Sequence, residues 1–262
     1  MKTFGVITPS TGAPSLKDCL RSMQQQDCVH YIVVDGQEHM AKVNQIMLEV
    51  GVTHKQKLIT LEENVGKAGG NFYGHRVYAA SPFLVNTDVV CFLDQDNTVA
   101  PNYIEEFQKV FEENKYSWAY TLRSIMDSAG NIICPDNCES LGHWPVAFDA
   151  TRHHIDTGCF AIPRPLLTKV AHHWYGTWGA DRQFFAAVKK EAPEFFGCTR
   201  MHTINYRMGS ETSRATIQMF QQGNSLSEQT YMGERNYPWH EQRKPKRSQT
   251  PLTYHTTSRP PL

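Results

Sequence analysis

Two periods alternate along the apolar positions of this chain. The run Val89-Val90-Cys91-Phe92-Leu93 leaves no room for a polar face and reads as a strand buried on both sides, as in the centre of a parallel sheet. Comparable β-branched runs predict strands over 4–8, 30–34, 57–61, 117–122 and 159–162, with an edge strand over 199–210. Between them the spacing becomes helical. Leu16, Cys19, Leu20 and Met23 follow an N-cap at Ser15, and Tyr103, Ile104, Phe107, Val110 and Phe111 follow Pro101. Further helices are expected over 39–50, 70–80, 165–172 and 181–190, while 123–152 reads as irregular. Strand, helix, strand, helix, strand at the start of the chain implies right-handed crossovers in a parallel sheet. The expectation is therefore an α/β fold, a mixed and mostly parallel central sheet flanked by helices, over 1–210. From 211 to 262 a C-terminal extension is expected, with a short helix at Ile217, Met219 and Phe220 and a disordered basic, proline-rich tail.

Polar chemistry collects where these strands stop. The second ends on Asp35-Gly36, and the fourth on Asp94-Gln95-Asp96. Carboxylates at the carboxyl edge of an open α/β sheet lie where such sheets bind ligands. Two acids closing a dry strand call for a partner, and Mg²⁺ or Mn²⁺ prefers carboxylate oxygens completed by substrate phosphates. The glycine-bearing stretch Glu63-Asn64-Val65-Gly66-Lys67-Ala68-Gly69-Gly70-Asn71 leads into a helix, a setting for an anion, and Lys67 adds a charge. It matches neither the Walker A loop nor the dinucleotide fingerprint. Asp181 opens a late helix behind the aromatic loop Trp174-Tyr175-Gly176-Thr177-Trp178, and the last strand brings His202 and Arg207 back toward the same edge.

Composition narrows the partners. With 26 basic and 26 acidic residues, no global field favours nucleic acid. The short apolar run at the N-terminus and the lack of any span near ~20 apolar residues lead us to expect a cytoplasmic chain. Arg243-Lys244-Pro245-Lys246-Arg247 adds the expectation of peripheral contact with the inner face of a membrane. The seven cysteines are scattered, as in a reducing compartment. Cys134 and Cys138, near His143, His153 and His154, are two thiols at loose spacing and do not define a zinc site.

In their order, Val6-Ile7-Thr8-Pro9, Val33-Val34-Asp35-Gly36, Glu63-Asn64-Val65-Gly66, Phe92-Leu93-Asp94-Gln95-Asp96, Thr157-Gly158-Cys159-Phe160, Gly179-Ala180-Asp181 and Tyr206-Arg207 resemble the family 2 glycosyltransferases of GT-A fold. The resemblance implies a metal-dependent, inverting transferase that moves a sugar from a nucleotide donor, as a UDP-sugar, to a glycan or lipid-linked sugar. It implies donor contacts at Thr8, Pro9, Asp35, Asn64, Gly66, Lys67, Asn71, Asp94 and Gln95. Asp96 becomes the direct ligand of Mn²⁺ or Mg²⁺, with Asp94 and His202 around it, and Asp181 the base. Trp144, Trp174 and Trp178 would offer apolar faces to the acceptor. Two departures stand out. Ala180-Asp181 has one acid where the family has a pair, and Gly69-Gly70-Asn71 lacks the family's arginine, for which Lys67, His75 or Arg76 can substitute. The alternatives are a nucleotidyltransferase, although Pro9-Ser10-Thr11-Gly12 lacks the basic residue of such loops, or a non-catalytic sugar-binding module.

Overall fold

The innermost strand, β1 (Phe4–Ser10), is buried at all seven positions in the computed structural model, which describes residues 1–51, 53–68, 74–113, 116–176, 179–209 and 215–240. Parallel neighbours account for that burial: β2 (Val29–Val34) on one side and β4 (Val89–Phe92) on the other, with β3 (Gln56–Thr60) beyond β2. This half carries the expected crossover helices, among them α1 (Leu16–Met23) and α2 (Met40–Val50).

The other half mixes directions. β8 (Phe160–Pro163) runs antiparallel to β4, pairing Ala161 with Cys91, and β6 (Trp118–Met126) runs antiparallel to β8. β9 (Phe196–Arg207) is parallel to β6, and β5 (Thr98–Val99) closes the row beside it. Reversal at β8 has a consequence for the site. The chain enters β8 at the same sheet edge where it leaves β4, so residues just before Phe160 face residues just after Phe92.

Three expectations change. β9 is not an edge strand, since β6 and β5 flank it. The stretch 123–152 contains β7 (Ile132–Pro135), which folds back on the end of β6. Lastly, the described part of the extension packs on the domain. α8 (Ile217–Thr230) buries Phe220 against Ile125, Cys138 and Met208, and the following turn delivers Tyr237 and Trp239 to the main core. The basic cluster 243–247, and with it the expected membrane contact, lies outside the described residues. No helix among the described residues is long and apolar enough to cross a membrane.

Candidate active site

A cavity of about 960 Å³ opens at the carboxyl ends of β1, β2 and β4. Asp35, Asp94, Asp96, Asp156 and Asp181 all line it. They arrive from four pieces of chain, Asp94 and Asp96 together in the turn after β4, and each is held for a local reason.

Asp35 follows β2 and is 3% exposed. Its two carboxylate oxygens accept the backbone N–H groups of Val65 (2.8 Å) and Gly66 (3.1 Å), so it caps the short helix α3 (Val65–Ala68). Burial raises its pKa, and those two amides oppose the rise. Asn64 accepts from the Lys67 N–H at 2.8 Å, which fixes the loop that brings Asn64, Gly66 and Lys67 to the cavity. Lys67 is the one lysine or arginine among the described lining residues.

Gln95 lines the cavity and also ties two turns together. Its Oε1 accepts from the Ser10 hydroxyl (2.8 Å) and from the N–H groups of Thr11 (3.2 Å) and Ala13 (3.3 Å), pinning the turn after β1 to the turn after β4. On either side of it, the carboxyls of Asp94 and Asp96 are both pushed above the ordinary carboxylate range by burial, and Asp94 further by Asp96. Tyr78 donates its hydroxyl to Asp94 Oδ1 at 2.6 Å. That tyrosine comes from α4 (His75–Leu84), whose entry lies close against β1: a Cβ at Gly74 would stand 2.4 Å from Pro9 Cγ. Arg207 donates from Nε to the Asp96 carbonyl at 2.8 Å and from Nη2 to Asp18 at 2.9 Å, securing the backbone of the same loop.

Two half-buried acids beside each other at a cavity wall suit a divalent cation. No group of three His, Cys, Asp or Glu side chains among the described residues could hold one unaided. A cation held by one or two carboxylates and completed by a substrate diphosphate fits this donor set.

His202 is not part of it. Its Nε2 bonds Asn137 Oδ1 at 3.2 Å, away from the cavity, and burial pushes its pKa down to about 4. The cause is register: His202 lies opposite Leu122, inside the β6–β9 ladder. Thr8 is corrected as well. It is fully buried and hydrogen-bonded to His30 Nε2 at 2.9 Å, leaving Pro9, Ser10 and Thr11 to face the cavity. Trp174 is fully buried, stacked on Phe184 of α7 (Ala180–Glu191) with ring centroids 4.5 Å apart. Trp144 packs on His143 and Trp239 instead of lining the cavity. Trp178 and Asn71 lie outside the described residues. Of the substitutes for the missing arginine, Lys67 and His75 line the cavity, whereas Arg76 lies over the Tyr175 ring at 4.7 Å.

Asp181 sits in the first turn of α7, which Gly179 enters with φ of 84°, a left-handed conformation that suits glycine. Near it is Asp156, which the sequence did not mark as a site residue. Asp156 accepts from Arg123 Nη1 at 2.6 Å and from the Gly158 N–H at 3.2 Å, and burial still holds its pKa above the usual range. The signal was an acid just before a strand, and only the antiparallel direction of β8 carries it to this edge. Tyr78 was legible in part, since a tyrosine on the buried face of a helix needs a partner for its hydroxyl.

Residues 6–132, from β1 to the start of β7, match the model of glycosyl transferase family 2. Over that stretch, just under half of the chain, the sequence is similar to that family. An uncharacterized protein of Haemophilus influenzae is 32% identical to this chain over 76 residues, covering 29% of this chain and 50% of that one. Crystal structures of S. aureus TarS 1-349 share the fold. The complex with UDP-GlcNAc superposes with a TM-score of 0.59 at 13% identity, over 82% of this chain and 62% of that one. The complex with UDP gives 0.58 at 12% identity, over 88% and 65%. This chain thus spans half the length of the curated relative and less than two thirds of these structures.

Proposed function

We propose that this chain transfers a glycosyl group from a nucleoside-diphosphate sugar, a UDP-sugar by analogy with the UDP-GlcNAc in the TarS complex, to a hydroxyl of a glycan or lipid-linked sugar, with inversion. One observation carries the reading: Asp94 and Asp96 share a single cavity with Asp181. The family match over residues 6–132 supports glycosyl transfer over nucleotidyl transfer.

Asp96, aided by Asp94, would hold Mn²⁺ or Mg²⁺, which when bound neutralises the charge that builds on the departing diphosphate. Lys67 adds a further positive charge from α3. Asp181 acts as general base. The acceptor oxygen bonds to the anomeric carbon, the bond from that carbon to the diphosphate breaks, and the hydroxyl proton passes to the Asp181 carboxylate. A single displacement of this kind inverts the anomeric centre.

A panel of nucleotide sugars, with Mn²⁺, Mg²⁺ or chelator, tests the reading through nucleotide release. One donor should be hydrolysed slowly, and only with metal. By calorimetry, Asp96→Ala should lose metal-dependent donor binding, whereas Asp181→Asn should bind the donor normally and lose turnover by about a hundredfold or more. No turnover with any donor would leave a non-catalytic binding module. Loss of donor affinity in Asp181→Asn would remove the base assignment.

A further inference from the structure

Asp181 has one near neighbour that the proposed chemistry does not use. His154, on the loop leading to β8, is 4% exposed and places Nε2 at 3.6 Å from Asp181 Oδ2. The other oxygen of that carboxylate, Oδ1, accepts the backbone N–H of Arg182 at 2.8 Å. Each oxygen of the acid therefore has its own neighbour. The loop that carries the imidazole is itself tied down, since the His154 carbonyl accepts the Gly142 N–H at 2.8 Å.

The tautomer follows from the surroundings. Nδ1 of His154 is buried with no hydrogen-bond partner among the described residues. A proton on Nδ1 would face no acceptor, whereas a proton on Nε2 faces a carboxylate, so the Nε2–H form is favoured. Two further charged groups act on this pair: Asp156 on the imidazole, and His75 on Asp181 from α4.

We infer that His154 is a positioning residue for Asp181, its Nε2–H fixing the carboxylate so that one lone pair points at the acceptor hydroxyl. The inference rests on the reaction assigned above. At 3.6 Å the two groups are within reach of a hydrogen bond, and catalytic hydrogen bonds commonly tighten in the reacting complex. A loosened base costs rate and not donor affinity, because misplacing a reacting group by about 1 Å can lower turnover about a hundredfold.

Side-chain geometry supplies the test. Glutamine places its amide nitrogen near the position of imidazole Nε2, asparagine near that of Nδ1, and leucine has no donor. With the most active nucleotide sugar of the panel, His154→Leu and His154→Asn should lower kcat about tenfold to a hundredfold with donor KM within about twofold, and His154→Gln should recover most of the rate. Wild-type kcat in His154→Leu, or no recovery in His154→Gln when its melting temperature matches wild type, overturns the role. Long-range ¹H–¹⁵N spectra of histidine-labelled protein read the pairing with no substrate present. The expected result is an Nε2–H tautomer at His154 whose resonances move in Asp181→Asn. An Nδ1–H tautomer, or resonances unmoved by Asp181→Asn, also overturns it. A wild-type chain that turns over no donor defeats the reaction assignment, and these spectra then decide the pairing by themselves.

Discussion

Tyr78 shows how a single hydroxyl tunes this site. Its hydrogen bond favours the ionised form of Asp94, against the burial and the Asp96 charge that favour the neutral one. Tyr78→Phe keeps the ring on Phe92 and Trp174 but removes that support. The Asp94 pKa should then rise further, so that protons compete better with the metal. Metal affinity measured by titration should fall at neutral pH and recover as pH is raised. An unchanged affinity profile would mean that Asp94 contributes little to cation binding. Histidines act through stability instead. His30 and His202 are buried in neutral form, with burial pushing their pKa values down to about 3 and about 4. Unfolding returns each to an ordinary pKa near 6.5. The unfolded chain therefore binds protons that the folded chain refuses, and stability that is full above about pH 6.5 is lost as pH falls toward 4. The raised carboxyls of Asp94, Asp96 and Asp156 act in the opposite sense over that window, so the test is a difference: between about pH 6.5 and 4 the melting temperature of wild type should fall relative to that of His202→Gln.

At the scale of elements, the close approach of α4 to β1 positions Tyr78. A methyl group at residue 74 has no space, because Pro9 is a rigid ring at the end of a fully buried strand. Gly74→Ala should therefore cost about 1–3 kcal/mol by chemical denaturation. It should also weaken metal binding, because α4 must shift and take the Tyr78 hydroxyl away from Asp94. The sequence predicted a helix here from residue 70, and the described helix begins at His75. The late helix has the bounds its apolar spacing suggests, yet the aromatic loop before it behaves otherwise than expected. Trp174 turns inward because Phe92, Tyr78 and Phe184 form an aromatic pocket, and an indole gains more from that than from standing ready for a ligand.

For the molecule as a whole, Arg123 joins the site to the rest of the chain. Its guanidinium is 3% exposed in ion pairs with Asp136, Glu139 and Asp156, and it lies over the rings of Tyr206 and Phe220. One side chain thus couples β6, the loop after β7, the entry to β8, β9 and α8. Replacing Arg123 by methionine strands three carboxylates, two of them buried, and should cost about 3–5 kcal/mol by denaturant titration. The loss should shrink when Asp156 is also changed to asparagine, because one stranded charge is removed. The same hub makes the C-terminal segment part of the domain. Phe220 covers both Arg123 and the small core at Ile125, so residues 215–240 belong energetically with residues 1–209.

The chain by itself determined which segments are strands and helices and that acids cluster at strand ends, because burial on two faces, helical periodicity and the cost of isolated charge are written locally in residue order. It also marked Asp94, Asp96 and Asp181 as the acids of interest. Only the tertiary structure decided who stands beside them. Strand direction cannot be read from composition, so the antiparallel entry of β8 that brings Asp156 to the cavity and His154 to Asp181 was invisible. Register is equally non-local, and the pairing of β9 with β6 sends His202 to Asn137 and not to Asp94 and Asp96. Packing made the last choice: Thr8 and Trp174 have side chains suited to ligands, but each found a partner inside the fold that no neighbour in sequence announces.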